Sequence, residues 1–126
     1  MKKRSCKRFS IPGTTLYYRY RKSIFKKPQY SQDYFPVTNL SRGGAQFLCN
    51  ERLKPGKALV IKIIIPGEDT PLEIKAEIRW ISRNREESYL YQTGISFNSY
   101  GSTRKENPAL ILDKLKTLEE KAGMTD

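Results

Sequence analysis

The sequence predicts an all-β domain that ends in one helix, and three observations carry the prediction. Leu72, Ile74, Ala76, Ile78 and Trp80 alternate with Glu73, Lys75, Glu77 and Arg79, the period of two of a strand with one buried face. Just upstream, Leu59, Ile61, Ile63 and Ile65 keep the same period, and Pro66-Gly67-Glu68-Asp69-Thr70-Pro71 joins the two runs as an antiparallel connection. After Asn107-Pro108 the period lengthens, and Ile111, Leu115, Leu118 and Ala122 recur at helical spacing.

The remaining elements follow in order. Thr14 to Arg21, rich in Thr and Tyr, suits a strand, as do Phe35 to Thr38 and Ala45 to Cys49. Arg83-Asn84-Arg85-Glu86-Glu87 turns the chain out of the clearest strand into Tyr91, Thr93, Ile95 and Phe97. Lys22 to Gln32 has no sustained period and reads as a mobile loop, whose Phe25 and Tyr30 either rest on the domain or meet a partner. Asn107 is read as a helix cap, with Pro108 at the first helical position and Gly123 as the stop. A helix of about fifteen residues is marginal alone, so its apolar stripe has to pack on the sheet or on another subunit. Six short strands joined by turns fit either a sandwich or a closed barrel, and closure removes the edges that invite aggregation.

At 126 residues the chain is expected to form one domain, 1–126, with one hydrophobic core. Charged residues make up 29% and apolar ones 37%, but the apolar ones are gathered into periodic runs, as a folded chain requires. Lys and Arg number 24 against 13 Asp and Glu, a net charge of +11 that favours anionic partners such as nucleotides, nucleic acids or acidic proteins. The basic start, Met1 to Arg8, is not followed by the apolar stretch of a signal peptide, and Ala58 to Ile65 is too short to span a bilayer, so a cytoplasmic protein is expected. Cys6 and Cys49 have no histidine to join them, which excludes the usual zinc spacings and makes a disulfide unexpected inside a cell. Cys49 is read as a small core residue, while Cys6 lies between two arginines that would lower its pKa. Without histidine, a based nucleophile or a carboxylate cluster, no catalytic site, metal or cofactor is expected.

Two motifs stand out. Arg4 and Arg8 are spaced four apart, and Asn39-Leu40-Ser41-Arg42-Gly43-Gly44 follows about thirty residues later. An arginine offers a planar fork of donors that fits two phosphate oxygens or the O6 and N7 edge of guanine. Asn39 and Ser41 add short neutral donors and acceptors, and Gly43 and Gly44 let the backbone turn and approach a ligand. The composition yields about one chance Arg-x-x-x-Arg, and Arg79 and Arg83 also match it, whereas Asp/Asn-x-Ser-x-x-Gly arises roughly once in twenty-five such chains, so the second motif carries the information.

The order and chemistry of these motifs resemble the PilZ family, and the resemblance continues through Arg8-Phe9-Ser10-Ile11-Pro12, Ala76-Glu77-Ile78-Arg79-Trp80 and Gly94-Ile95-Ser96-Phe97. It implies a six-stranded antiparallel β-barrel over 13–98, a C-terminal α-helix over 107–122, and a ligand-binding arm, flexible without ligand, over 1–12. It implies a bacterial second-messenger receptor for cyclic di-GMP, a ligand rather than a cofactor, bound by Arg4, Arg8, Asn39, Ser41, Gly43 and Gly44. Asn39 in place of the commoner Asp removes a charge that would repel phosphate. Lys3, where the family often has a basic residue, is expected to favour a stacked pair of ligands.

Local roles compete with these at several positions. Asn39 and Ser41 also suit a polar turn, Gly43 and Gly44 a tight turn with positive φ, and Arg42 a supporting charge pointing outward. Trp80 is in phase with the core, or else it or its neighbour Arg79 stacks on a guanine; strict alternation allows only one of the two. A domain with neither catalytic nor DNA-reading partner is expected to signal through protein contacts or a homodimer. The competing function is a basic barrel that holds single-stranded nucleic acid through phosphate charges and exposed tyrosines.

Overall fold

Alternating apolar residues give strands with one wet face, and six such strands can bury their dry faces together only by closing on themselves. A computed structural model of the chain, describing residues 7–21, 29–85 and 88–124, has that closure. The strands are β1 (Thr15–Tyr20), β2 (Phe35–Leu40), β3 (Gly44–Cys49), β4 (Ala58–Ile64), β5 (Leu72–Arg83) and β6 (Tyr91–Phe97), followed by α1 (Ala109–Met124). They form a closed antiparallel barrel in the order β1-β2-β3-β6-β5-β4, with β4 returning to β1 from Thr15↔Ile64 to Tyr20↔Leu59. The expected six-stranded barrel with a C-terminal helix is therefore the observed fold.

The inward positions are those of the period-two pattern. Leu59, Ile61 and Ile63 of β4, Ile74 and Ile78 of β5, and Leu16 and Phe47 across the barrel are almost wholly buried, and Cys49 lies among them as expected. Burial pushes the Cys49 thiol above its ordinary pKa. The helix packs on the barrel through Leu115 and Leu118, which join the same core. No helix among the described residues is long and apolar enough to cross a membrane.

Several boundaries differ from expectation. β2 runs on through Asn39 and Leu40, so the turn to β3 is only Ser41-Arg42-Gly43. β5 continues past Trp80 to Arg83, because Ile81, Ser82 and Arg83 find partners in Thr93, Gln92 and Tyr91 of β6. The helix passes through Gly123 to Met124. Asn107 is not spent on a helix cap. Its Oδ1 accepts from Lys75 N at 2.8 Å and its Nδ2 donates to Lys75 O at 3.0 Å and Asn98 O at 3.1 Å, so a buried side-chain amide pairs with β5 where β6 has ended. The stretch 7–12, expected to belong to an arm flexible without ligand, is fastened to β2 at Phe9, whose N donates to Leu40 O and whose O accepts from Leu40 N, both at 2.8 Å.

Of the expected loop, Phe25 lies outside the described residues, and Tyr30 rests on the barrel. Its hydroxyl donates to Glu73, and the cations of Arg19 and Lys62 lie 5.3 and 4.4 Å from its ring centre. Elsewhere on the barrel, Tyr18 and Tyr20 donate to Glu51 at 2.6 and 2.8 Å.

Candidate functional site

The antiparallel bridge at Phe9 seats Arg8 beside the end of β2, where Arg8 Nη1 donates to Asn39 Oδ1 at 3.0 Å. Ser10 Oγ adds a bond to Thr38 O at 2.8 Å, holding the same stretch along the strand. The first motif's second arginine and the second motif's asparagine are thus in contact across 31 residues of sequence.

The three-residue turn is held by Ser41, which is 8% exposed: its N donates to Gly44 O at 2.8 Å, and its Oγ accepts from Gly43 N at 3.2 Å. The glycines serve a purpose other than positive φ, which among the described residues is confined to Gly13, Gly56 and Gly67. A Cβ on Gly44 would collide with the carbonyl oxygen of Ile95, so glycine lets β3 and β6 approach at the rim. Arg42 turns away toward α1, where its fork meets both carboxylate oxygens of Glu119 at 3.3 Å, and its carbonyl accepts from Tyr100 Oη at 2.6 Å. It is a tie between turn and helix.

The largest departure from the sequence reading is in β5. Ile78 pairs with Ile95, but the next register partner of β6, Gly94, faces Trp80, so Arg79 is an extra residue. This β-bulge shifts the phase by one and leaves Arg79 and Trp80 both outside, while Ile81 returns toward the core. Trp80 is consequently no core residue, at 37% exposed, and alternation does not restrict the face to one of the pair. Its indole covers Gly94, where any Cβ would collide with it.

These elements enclose an open pocket of about 330 Å³, lined by Arg8, Ser41, Gly43, Gly44, Gln46, Arg79, Trp80, Gly94 and Ser96 among others. Among the described residues two guanidiniums border it and no carboxylate lines it, and the glycines leave backbone within reach of a ligand. Such a site suits an anion carrying a flat ring. Asn39 stands at its edge as the partner of Arg8. Lys3, Arg4 and Cys6 lie outside the described residues. A larger groove of about 500 Å³, between Ser10–Pro12, the Pro66–Glu68 turn and the end of α1, gathers none of the motif residues. Among the described residues no group of His, Cys, Asp or Glu could hold a metal ion. The sequence reading missed Gln46, although its position two beyond Gly44 places it on the same outer face of β3.

Known proteins share this fold. The PilZ domain model matches residues 2–107. Among solved structures, the PilZ domain with c-di-GMP of YcgR from Escherichia coli superposes with a TM-score of 0.65 at 17% identity, covering 98% of this chain and 94% of that one. The inhibitor of motility MotI/DgrA of Bacillus subtilis gives 0.58 at 15% identity, covering 96% and 53%. The MrkH–c-di-GMP complex of K. pneumonia gives 0.65 at 15% identity, covering 96% and 52%, so this chain spans about half the length of the latter two. No curated protein matches the chain. With the family model covering most of its length and the six-stranded barrel in place, the chain belongs to the PilZ domain family.

Proposed function

We propose that this chain is a receptor domain for cyclic di-GMP, bound at the pocket between the Phe9 bridge, the Ser41–Gly43 turn and the β5 bulge. The observation that carries the reading is that Arg8 of the first motif and Ser41, Gly43 and Gly44 of the second line one pocket together with Arg79 and Trp80. YcgR and MrkH, whose structures contain that ligand, share the barrel. In this reading Arg8 and Arg4 fork onto phosphate or a guanine edge, Trp80 stacks on a base, and Asn39 orients Arg8. Each hydrogen bond to an ionised partner contributes about 1.5–3 kcal/mol net, against about 1–2 kcal/mol for each backbone residue that must be ordered. The balance is small, as a reversible sensor requires.

Ligand binding then draws the arm carrying Lys3 and Arg4 over the pocket, and the ordered arm is what a protein partner or a second copy reads in the cytoplasm. Lys3 supplies the added charge that a stacked pair of ligands demands. Because Phe9 is already bridged to Leu40 of β2, the change falls on residues ahead of Phe9.

Calorimetry of the purified chain with cyclic di-GMP and with a mixed-sequence single-stranded oligonucleotide tests the reading. The expected result is saturable binding of the dinucleotide at low stoichiometry and weak binding of the oligonucleotide. No heat with cyclic di-GMP sinks it, and affinity that grows with oligonucleotide length and falls steeply with salt supports the nucleic-acid barrel in its place.

A further inference from the structure

Three neutral amides form a row across the outer face of the barrel: Asn39 on β2, its cross-strand partner Gln46 on β3, and Gln92 on β6. An amide has a donor end and an acceptor end of nearly the same shape, so its neighbours decide which way it points. Here the decision starts at Arg8, whose guanidinium can only donate. Its bond to Asn39 Oδ1 at 3.0 Å turns the carbonyl of Asn39 toward the arm and leaves Nδ2 facing Gln46. Asn39 Nδ2 donates to Gln46 Oε1 at 3.1 Å, and Gln92 Nε2 donates to the same oxygen at 3.4 Å. Both lone pairs of that oxygen are taken. Gln46 retains its NH2 group, which no described residue is seen to accept from, and Gln46 lines the same pocket as Arg8, Arg79 and Trp80.

We propose that Gln46 is a donor-only reader of the purine edge, its polarity set through Arg8, Asn39 and Gln92, and that it selects guanine over adenine. The proposal rests on the cyclic dinucleotide reading of the pocket. A glutamine with both ends free favours adenine, since its oxygen takes the N6 amine while its nitrogen gives to N7. With Oε1 closed, that pairing is lost. Guanine presents O6 and N7, two acceptors, to the donors of Gln46 and Arg8, whereas the amine of adenine meets another donor and leaves both unpaired. An aspartate at 39 would reverse the polarity: it accepts only, so it would take the Gln46 amino group and turn Oε1 outward.

The test measures the affinities of cyclic di-GMP and cyclic di-AMP for the wild-type chain and for Gln46→Met, Asn39→Asp, Gln92→Met and Lys62→Ala, with thermal melts to establish that each is folded. The wild type is expected to favour the guanine ligand. That ratio should fall on the order of tenfold in Gln46→Met and Asn39→Asp, fall less in Gln92→Met, and stay unchanged in Lys62→Ala, which lies outside the pocket. A folded Gln46→Met or Asn39→Asp that loses both ligands in equal proportion, or keeps the wild-type ratio, overturns the proposal while leaving the receptor reading intact. A wild type that binds neither ligand overturns both.

Discussion

Two outer faces of this barrel carry the same residue types and lead to opposite chemistry. On the β1–β4 side, Arg19 and Lys62 sit over the ring of Tyr30, whose hydroxyl is held by Glu73, so cations, aromatic and carboxylate satisfy one another. On the β3–β6–β5 side, Arg8 and Arg79 line one pocket with Trp80, but Arg8 is met by a neutral amide and no carboxylate among the described residues lines the pocket. An anion arriving at the first face must displace an existing arrangement, whereas at the second it supplies the missing charge. A net charge of +11 alone does not tell these faces apart; the sign and polarity of the nearest neighbour do.

The sharpest way to break this contrast is to remove one cation from each face. Arg8→Ala should weaken cyclic di-GMP on the order of a hundredfold, as the loss of a charged fork implies, and Lys62→Ala should leave it unchanged by calorimetry. Equal losses from the two would mean that bulk charge rather than the site governs binding. Next, Gly94→Ala should push the indole of Trp80 off its seat, weakening the ligand about tenfold through lost stacking. Because Trp80 is the chain's single tryptophan, its emission should shift in the same variant, and an unchanged spectrum would mean the ring does not rest there.

Smaller effects sharpen the comparison. Arg42→Ala severs the tie to Glu119, a pair in which the arginine is 42% exposed, and should cost no more than about 1 kcal/mol in denaturant unfolding. On the closed face, Tyr30 is pushed up to about 12, first by burial and then by its bond to Glu73, as Tyr20 is beside Glu51. The folded state holds these protons more tightly than the unfolded one, so their support is complete below about pH 10 and is lost as the pH rises toward 12. Tyr30→Phe should flatten that alkaline loss in pH-dependent melts; if the slope is unchanged, the closed face is looser than its contacts imply.

Strands β4, β5 and β6 and the helix were legible in the sequence because each repeats over several residues, and a repeat needs only local geometry to be read. The second motif was legible for a different reason: Asn, Ser and Gly at those spacings are improbable by chance. What local pattern could not carry is where the alternation breaks. Leu72 to Trp80 reads as one unbroken stripe, yet the bulge after Ile78 carries Trp80 to the opposite face, because β5 must curve round the barrel and keep its ladder with β6. The role of Asn107 was equally hidden. Beside a proline it reads as a cap, and only the end of β6 leaves the Lys75 backbone needing its amide.

By itself, then, the sequence determined the strands, the helix, the inward residues up to the β5 bulge and the two motifs, all of which follow from periodicity and residue chemistry within a few turns of chain. The tertiary structure decided which side chains share a pocket, where β5 slips its phase, and which way the amides of Asn39 and Gln46 point. Those depend on neighbours from distant strands, and a hydrogen bond's polarity is set by the partner that has no choice, here the guanidinium of Arg8.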